Sequence, residues 1–396
     1  MEQSEKQSFR VLIVDDNSKN IQVLGKVLQE DSIEIEFALD AQSGLQWIRD
    51  SSFDLVLLDI NMPDMDGIEM CRLIRKDKSL DTMPIIFLSA QTDRASVLKG
   101  FEAGAQDYIA KPFERRELLA RVRTQLEIKR NREQISRYAN LIEQRNKQTT
   151  ESIRYARSIQ QAILQSSLCY NEGSAETFII YQPRDIVSGD FYYFQSMDST
   201  YIMGVFDGLG HGIPGGFISM LGYSMLNDII IREKCFSPGD ILGKIRSRFI
   251  QAFHLEGKLM EIKAGMDGSI ISYDMKTGVV RFSGAYSNIY LYRDKQVMEF
   301  KGDNMPLTYH MDMREFQTQE FNVQKNDILY LLTDGYTDQF GGPSDKKFSR
   351  RRFRSLIKEI GNQPLSAQKE ALEQAVQNWR RNTEQTDDIT IAALKI

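Results

Sequence analysis

At 396 residues the chain exceeds what one ordinary hydrophobic core holds, and two or three domains are expected. With 41% hydrophobic residues, 10% aromatics and a net charge of −5, it is neither a disordered polyelectrolyte nor a protein whose overall charge draws it to nucleic acid. Cys71, Cys169 and Cys235 have neither disulfide nor zinc spacing, the first residues are polar, and no run of about 18 apolar residues occurs, so a cytoplasmic protein without a membrane span is expected.

From Arg10, short apolar strands (R-V-L-I-V, I-E-I-E-F-A, F-D-L-V-L-L, P-I-I-F-L-S, D-Y-I-A) alternate with amphipathic segments such as 20–29 and 43–49. That alternation predicts a doubly wound, five-stranded parallel sheet, whose site forms at the carboxyl ends of its strands. Those ends carry Asp15-Asp16, Asp59, Ser89 and Lys111-Pro112. One aspartate after a strand is most often a cap. Three at one sheet edge, with a lysine to balance them, point to a charged ligand.

With D-I-N-M-P-D-M-D-G after the third strand and K-P-F after the fifth, residues 9–126 resemble a response-regulator receiver domain. The resemblance implies that Asp59 is the phosphoacceptor and a sensor histidine kinase the phosphodonor. It implies Mg²⁺ at Asp16, Asp59 and the Asn61 carbonyl, with Asp15 assisting through water. Lys111 would pair with the phosphoryl oxygens, Ser89 and Tyr108 would be the switch pair, and Pro112 would follow a cis bond.

Residues 114–165 contain neither proline nor glycine. Ile128, Ile135, Ile142, Thr149, Ala156 and Ile163 recur every seven residues, with Asn131, Tyr138, Arg145, Ser152 and Ile159 three further on. This register predicts a coiled-coil helix over 127–165 and a homodimer through it, with a weak seam from Arg145 to Ser152 that receiver events could shift. A long solvated helix is the plainer alternative.

From about residue 178 hairpins dominate. G-D-F-Y-Y-F and Y-I-M-G-V-F-D-G flank a polar turn at 197–200. An antiparallel hairpin about that turn pairs residues whose numbers sum to 397, and so sets Asp190 opposite Asp207, with Cβ atoms about 4.5–5.5 Å apart. Carboxylates that close repel unless one is protonated or a cation lies between them. A buried helix follows, with Pro214 in its first turn, then a helix near 238–254, a hairpin turning at 276–278, and another formed by N-I-Y-L-Y-R and Q-V-M-E-F. N-D-I-L-Y-L-L-T-D-G predicts a buried strand ending at Asp334; a helix over 366–382 precedes Asp387-Asp388 and a final strand. Each acid alone is more often a turn residue. Together they line one end of a sheet with oxygen donors, which suits Mg²⁺ or Mn²⁺ rather than zinc.

S-G-D-F-Y, F-D-G-L-G-H-G-I-P-G-G-F-I-S-M-L-G, A-G-M-D, T-D-G-Y-T-D and Q-T-D-D-I-T-I resemble the metal-dependent PPM (PP2C-type) phosphatases, in the SpoIIE/RsbU-like bacterial branch that acts on sigma-factor regulatory proteins. Y-A-R-S-I-Q-Q-A-I-L-Q resembles the helix that leads into that domain, which is placed at 166–396. The fold implied is an α/β phosphatase, an antiparallel β-sandwich flanked by helices, holding two Mn²⁺ or Mg²⁺. Asp207 would bridge the ions and the Gly208 carbonyl would ligate one. Asp334 and Asp387 would hold the other, with Asp388 the alternative to Asp387, and Asp190 would support the cluster directly or through water. The reaction implied is in-line attack of water on phosphoserine or phosphothreonine, without a phosphoenzyme.

There are departures. The position two after the bridging aspartate, a histidine in many of these enzymes, is Leu209; His211 lies two further on and is expected to serve structure or helix entry. No arginine is assigned to phosphate by motif, and Arg184 is the candidate. The run K-K-F-S-R-R-R-F-R (346–354) is expected to be a solvated helix start near the site, and otherwise an attractor of an acidic or phosphorylated protein. The function expected is a two-component regulator whose phosphatase, switched at Asp59, acts on a phosphorylated STAS-type anti-sigma-factor antagonist. The alternative is a non-enzymatic adaptor that binds a sigma factor or its regulator.

Overall fold

The computed structural model describes residues 8–29, 31, 33–90, 94–166, 176–253, 265–311 and 313–396; Cys169, His254 and Ala264 of the motifs above lie outside them. The chain forms two compact units that divide between Asn146 and Lys147. Among the described residues no helix is long and apolar enough to cross a membrane.

The first unit is β1 (Arg10–Val14), α1 (Ser18–Gln29), β2 (Glu34–Ala38), α2 (Ala41–Asp50), β3 (Leu55–Asp59), α3 (Gly67–Lys76), β4 (Ile85–Ala90), α4 (Arg94–Glu102), β5 (Asp107–Lys111) and the first turns of α5 (Arg115–Ser166). Its sheet is parallel, in the order β2-β1-β3-β4-β5. The inner strands are apolar throughout because both faces are covered. Leu12, Val14, Val56 and Leu58 face Ile48, Ile68 and Ile74 of α2 and α3. The intervening Val11, Ile13, Leu55 and Leu57 face Leu24 and Leu28 of α1 and Leu118, Val122 and Leu126 of α5.

The helix α5 is 52 residues long, and its last turns, with Gln160 and Leu164 buried, belong to the second unit. That unit continues with β6 (Glu176–Gln182), β7 (Asp190–Met197), β8 (Thr200–Gly208), α6 (Gly212–Asn227), a π-helical turn (Asp228–Arg232), α7 (Pro238–Ala252), β9 (Met266–Asp274), β10 (Val279–Ala285), β11 (Ile289–Arg293), β12 (Gln296–Phe300), β13 (Gln319–Asn322), β14 (Ile328–Leu332), α8 (Asp334–Asp338), β15 (Phe340–Gly341), β16 (Lys346–Lys347), α9 (Arg350–Ile360), α10 (Leu365–Arg380) and β17 (Ile389–Lys395).

Two antiparallel five-stranded sheets, ordered β13-β10-β9-β8-β7 and β12-β11-β14-β17-β6, pack face to face between helices. Strand β8 shows why. Tyr201, Met203 and Val205 enter the core between the sheets, while Ile202 and Phe206 face α6 and α7. Burying each such side chain is worth roughly 1.5–3 kcal/mol. Three features depart from the sequence reading. Asp334 opens α8 rather than ending a strand, α6 runs on into the π turn, and β13 is an additional edge strand with alternating polar residues.

Candidate functional site

At the carboxyl edge of the receiver sheet, Asp15, Asp16 and Asp59 each bring a carboxylate oxygen within 4.8 Å of the others, the one such group of three among the described residues. Asp15 and Asp59 are buried and Asp16 is exposed. Lys111 Nζ bridges them, 2.9 Å from Asp15 and 2.7 Å from Asp59. Burial pushes the Asp59 carboxyl above its ordinary value, against the pull of the Lys111 bond. The Asn61 amide lies 3.4 Å from Asp59, the Lys111–Pro112 bond is cis, Ser89 is buried, and Tyr108 is exposed beneath the Arg121 guanidinium.

In the second unit the β7–β8 register is Asp190↔Asp207, as the sum of 397 requires, and β9 continues it with Asp207↔Asp267. Asp190 is 1% exposed and accepts a hydrogen bond from Thr333 Oγ1 at 2.7 Å. Burial, then the charges of Asp388 and Asp387, raise its carboxyl well above the ordinary range. Asp207 is raised likewise, by burial and then by Asp190, Asp334, Asp387 and Asp267. Asp334 is raised by exclusion of water and then by Asp338 and Asp387, while Lys347 and Arg350 oppose. Asp267 rises to about 7, by burial and then by Asp334. None of the five, counting Asp387, has an ion pair among the described residues. Four raised acids that outnumber the cations near them, with no ion pair to any of them among the described residues, fit a hard divalent cation. Asp267, the last residue of A-G-M-D, joins the set without a motif role of its own; its place at the head of β9 is the signal that marks it.

The adjacent carboxylates Asp387 and Asp388 differ. Asp388 is 2% exposed and accepts from the amides of Arg184 and Gly189, both at 2.7 Å. Asp387 is half-buried and accepts from the Asp388 amide at 2.9 Å, leaving its other oxygen available. Gly189 must be glycine: a Cβ there would lie 2.4 Å from the Gly210 carbonyl and 2.8 Å from that of Gly208.

His211 occupies the N-cap position of α6 without a side-chain capping bond, and its Nδ1 lies 2.7 Å from Asp185, which ties the β6–β7 loop to the helix. The Arg184 guanidinium donates to the Thr386 carbonyl at 3.1 Å. Gln160 of α5, 3% exposed, was not recognised in the sequence because it reads as polar coiled-coil surface. Its Nε2 donates to the Ser188 carbonyl (2.7 Å) and Ser219 Oγ (2.8 Å), and its Oε1 accepts from the Ser188 amide (3.2 Å).

The fold and the acid sets together define a receiver domain joined to a PP2C-type phosphatase domain. The family model for the response regulator receiver domain matches residues 11–123, and that for Stage II sporulation protein E (SpoIIE) matches residues 197–396, half of the chain. The chain belongs to the SpoIIE family. Among solved structures, the SiaA-PP2C domain of Pseudomonas aeruginosa is 30% identical with a TM-score of 0.58, covering 63% of this chain and 98% of that one. Over 117 residues the chain is 42% identical to the DNA-binding response regulator MtrA of Mycolicibacterium paratuberculosis and 39% identical to the transcriptional regulatory protein ResD of Bacillus subtilis. These matches cover 30% of this chain and 51% and 48% of the relatives, so it spans about half the length of each. PP2C-type phosphatase domains are metal-dependent, and receiver domains bind Mg²⁺.

Proposed function

We propose that the second unit hydrolyses phosphoserine or phosphothreonine on a regulatory protein, a STAS-type anti-sigma-factor antagonist, under the control of Asp59 phosphorylation. The observation that supports this most is the gathering of Asp190, Asp207, Asp267, Asp334 and Asp387 with no ion pair to any of them among the described residues. The antagonist is inferred from the SpoIIE branch resemblance. Asp207, the Gly208 carbonyl, Asp334 and Asp387 would hold two Mn²⁺ or Mg²⁺ ions, Asp207 being shared between them. Asp190, which accepts a hydrogen bond from Thr333, would support the cluster directly or through water. Asp267 offers a fifth carboxylate, and Asp388 shapes the loop through its two amides. When bound, the ions would polarise the phosphate and acidify a water. The test is Mn²⁺-dependent phosphate release from a phosphoserine protein: the intact chain turns over, and Asp207→Ala does not.

In the first unit, Asp59 takes the phosphoryl group from a sensor histidine kinase. Asp16, Asp59 and the Asn61 carbonyl would hold Mg²⁺ with Asp15 assisting through water, Lys111 would pair with the phosphoryl oxygens, and Ser89 and Tyr108 would switch. Residues 127–165 join two copies. In support, Ile128, Ile135, Tyr138, Ile142 and Ile159, all at the seam positions, are 38–68% exposed on the single chain. Phosphorylation activates by shifting that seam, and Gln160 passes the shift to the Ser188–Asp190 segment.

A further inference from the structure

The basic run at 346–354 resolves into side chains with different commitments. Lys347 Nζ lies 2.5 Å from Asp338, and Arg354 lies 3.1 Å from Glu299. Arg352 stacks on Trp379 with its guanidinium carbon 4.3 Å from the ring centroid, and donates to the carbonyls of Lys347 and Phe348. Arg350 makes no hydrogen bond or ion pair among the described residues, is exposed, and lines the cavity of about 200 Å³ that Asp207, Asp267 and Asp334 also line. It is the cavity's one basic residue among those described.

The wall it shares is held firmly. Asn288 Nδ2 and the Tyr290 hydroxyl both donate to Glu299, at 2.9 and 3.2 Å, and Glu299 is the carboxylate that Arg354, one turn further along α9, engages. A cation without a hydrogen bond or ion pair among the described residues is therefore presented across a small cavity from the acids. A phosphate ester carries more negative oxygens than the ions alone need engage, and a guanidinium matches two of them with its planar fork.

We propose that Arg350 binds the non-bridging oxygens of the substrate phosphate, as the anion-anchoring residue for which the sequence offers no motif. This rests on the phosphatase reading of the same cavity and deepens it. Arg351 is exposed, carries the same charge and does not line the cavity, so it serves as the control.

The test is isothermal titration of inorganic phosphate into the full-length, Mn²⁺-loaded chain, beside inhibition by phosphate of p-nitrophenyl phosphate hydrolysis. Arg350→Ala should weaken phosphate binding roughly tenfold, the scale of one charge-assisted contact. Arg350→Lys should recover part of it, and Arg351→Ala none should be lost. The Mn²⁺ concentration for half-maximal turnover should stay unchanged in Arg351→Ala. Unaltered phosphate affinity in Arg350→Ala overturns the proposal, as does an equal loss in Arg351→Ala or a wild-type chain that does not bind phosphate. Phosphate binding that depends on Arg350 in a chain without turnover would overturn the phosphatase reading and leave the anion site standing.

Discussion

Gln160 Nε2 donates to the carbonyl of Ser188 at 2.7 Å, while its Oε1 accepts from the amide of the same residue at 3.2 Å. One side chain of α5 thus holds both backbone groups of a residue two positions before Asp190. Buried groups left unpaired cost about 1–3 kcal/mol each. Gln160→Ala is therefore expected to raise the Mn²⁺ concentration for half-maximal phosphatase activity several-fold and to abolish the response to Asp59 phosphorylation. Metal titrations of the full chain, with and without a phosphoryl mimic, check this. An unchanged activation ratio would remove Gln160 from the relay.

Asp387 and Asp388 should separate when each is replaced by alanine. Asp388 accepts two backbone amides in a buried setting, so its loss should destabilise the second unit by about 2–4 kcal/mol and lower the melting temperature. Asp387→Ala should melt like wild type and lose Mn²⁺-dependent turnover. The reverse pattern in paired melting curves and assays would exchange the two roles.

The acid cluster has a definite pH signature. Asp190, Asp207, Asp334 and Asp267 are all raised in the folded chain, Asp267 to about 7 against 3.8 unfolded. Folding therefore favours their protonated forms. The stability they lend is complete below about 3.8, and the Asp267 part is lost as pH rises through about 7. Without metal, the second unit should melt at progressively lower temperature over this range. With Mn²⁺ the fall should shrink or reverse, and binding should release protons. Calorimetry at several pH values measures both. A metal-free melting temperature that rises from pH 4 to 7.5 would contradict the assignment.

Ile135 and Ile142 are 68% and 58% exposed on one chain, so aspartate at both positions should leave each unit's melting unchanged. It should convert a dimer to a monomer in sedimentation. A wild-type chain that sediments as a monomer in both phosphorylation states would exclude pairing through α5.

Several of these residues were legible because local pattern and tertiary position agree. A polar turn between two apolar runs fixes the β7–β8 register and so pairs Asp190 with Asp207. The receiver acids stand at the ends of strands whose apolar runs mark them plainly. Asp267 was not assigned, because its partner strand lies about 60 residues earlier and no turn links the two. Asp387 and Asp388 are chemically identical, and only the amides of Arg184 and Gly189 tell them apart. Gln160 and Arg350 sit in segments whose composition announces solvent, and their surroundings are assembled from distant strands and loops.

The most direct measurement is phosphate release from a phosphoserine protein by the full chain in Mn²⁺, with Asp59 unmodified and with it phosphorylated or beryllofluoride-loaded. Turnover that rises on Asp59 modification, vanishes in Asp207→Ala and loses its response in Asp59→Ala is the predicted result. Absence of metal-dependent turnover in both Asp59 states, from a chain that is folded and binds Mn²⁺, would contradict it.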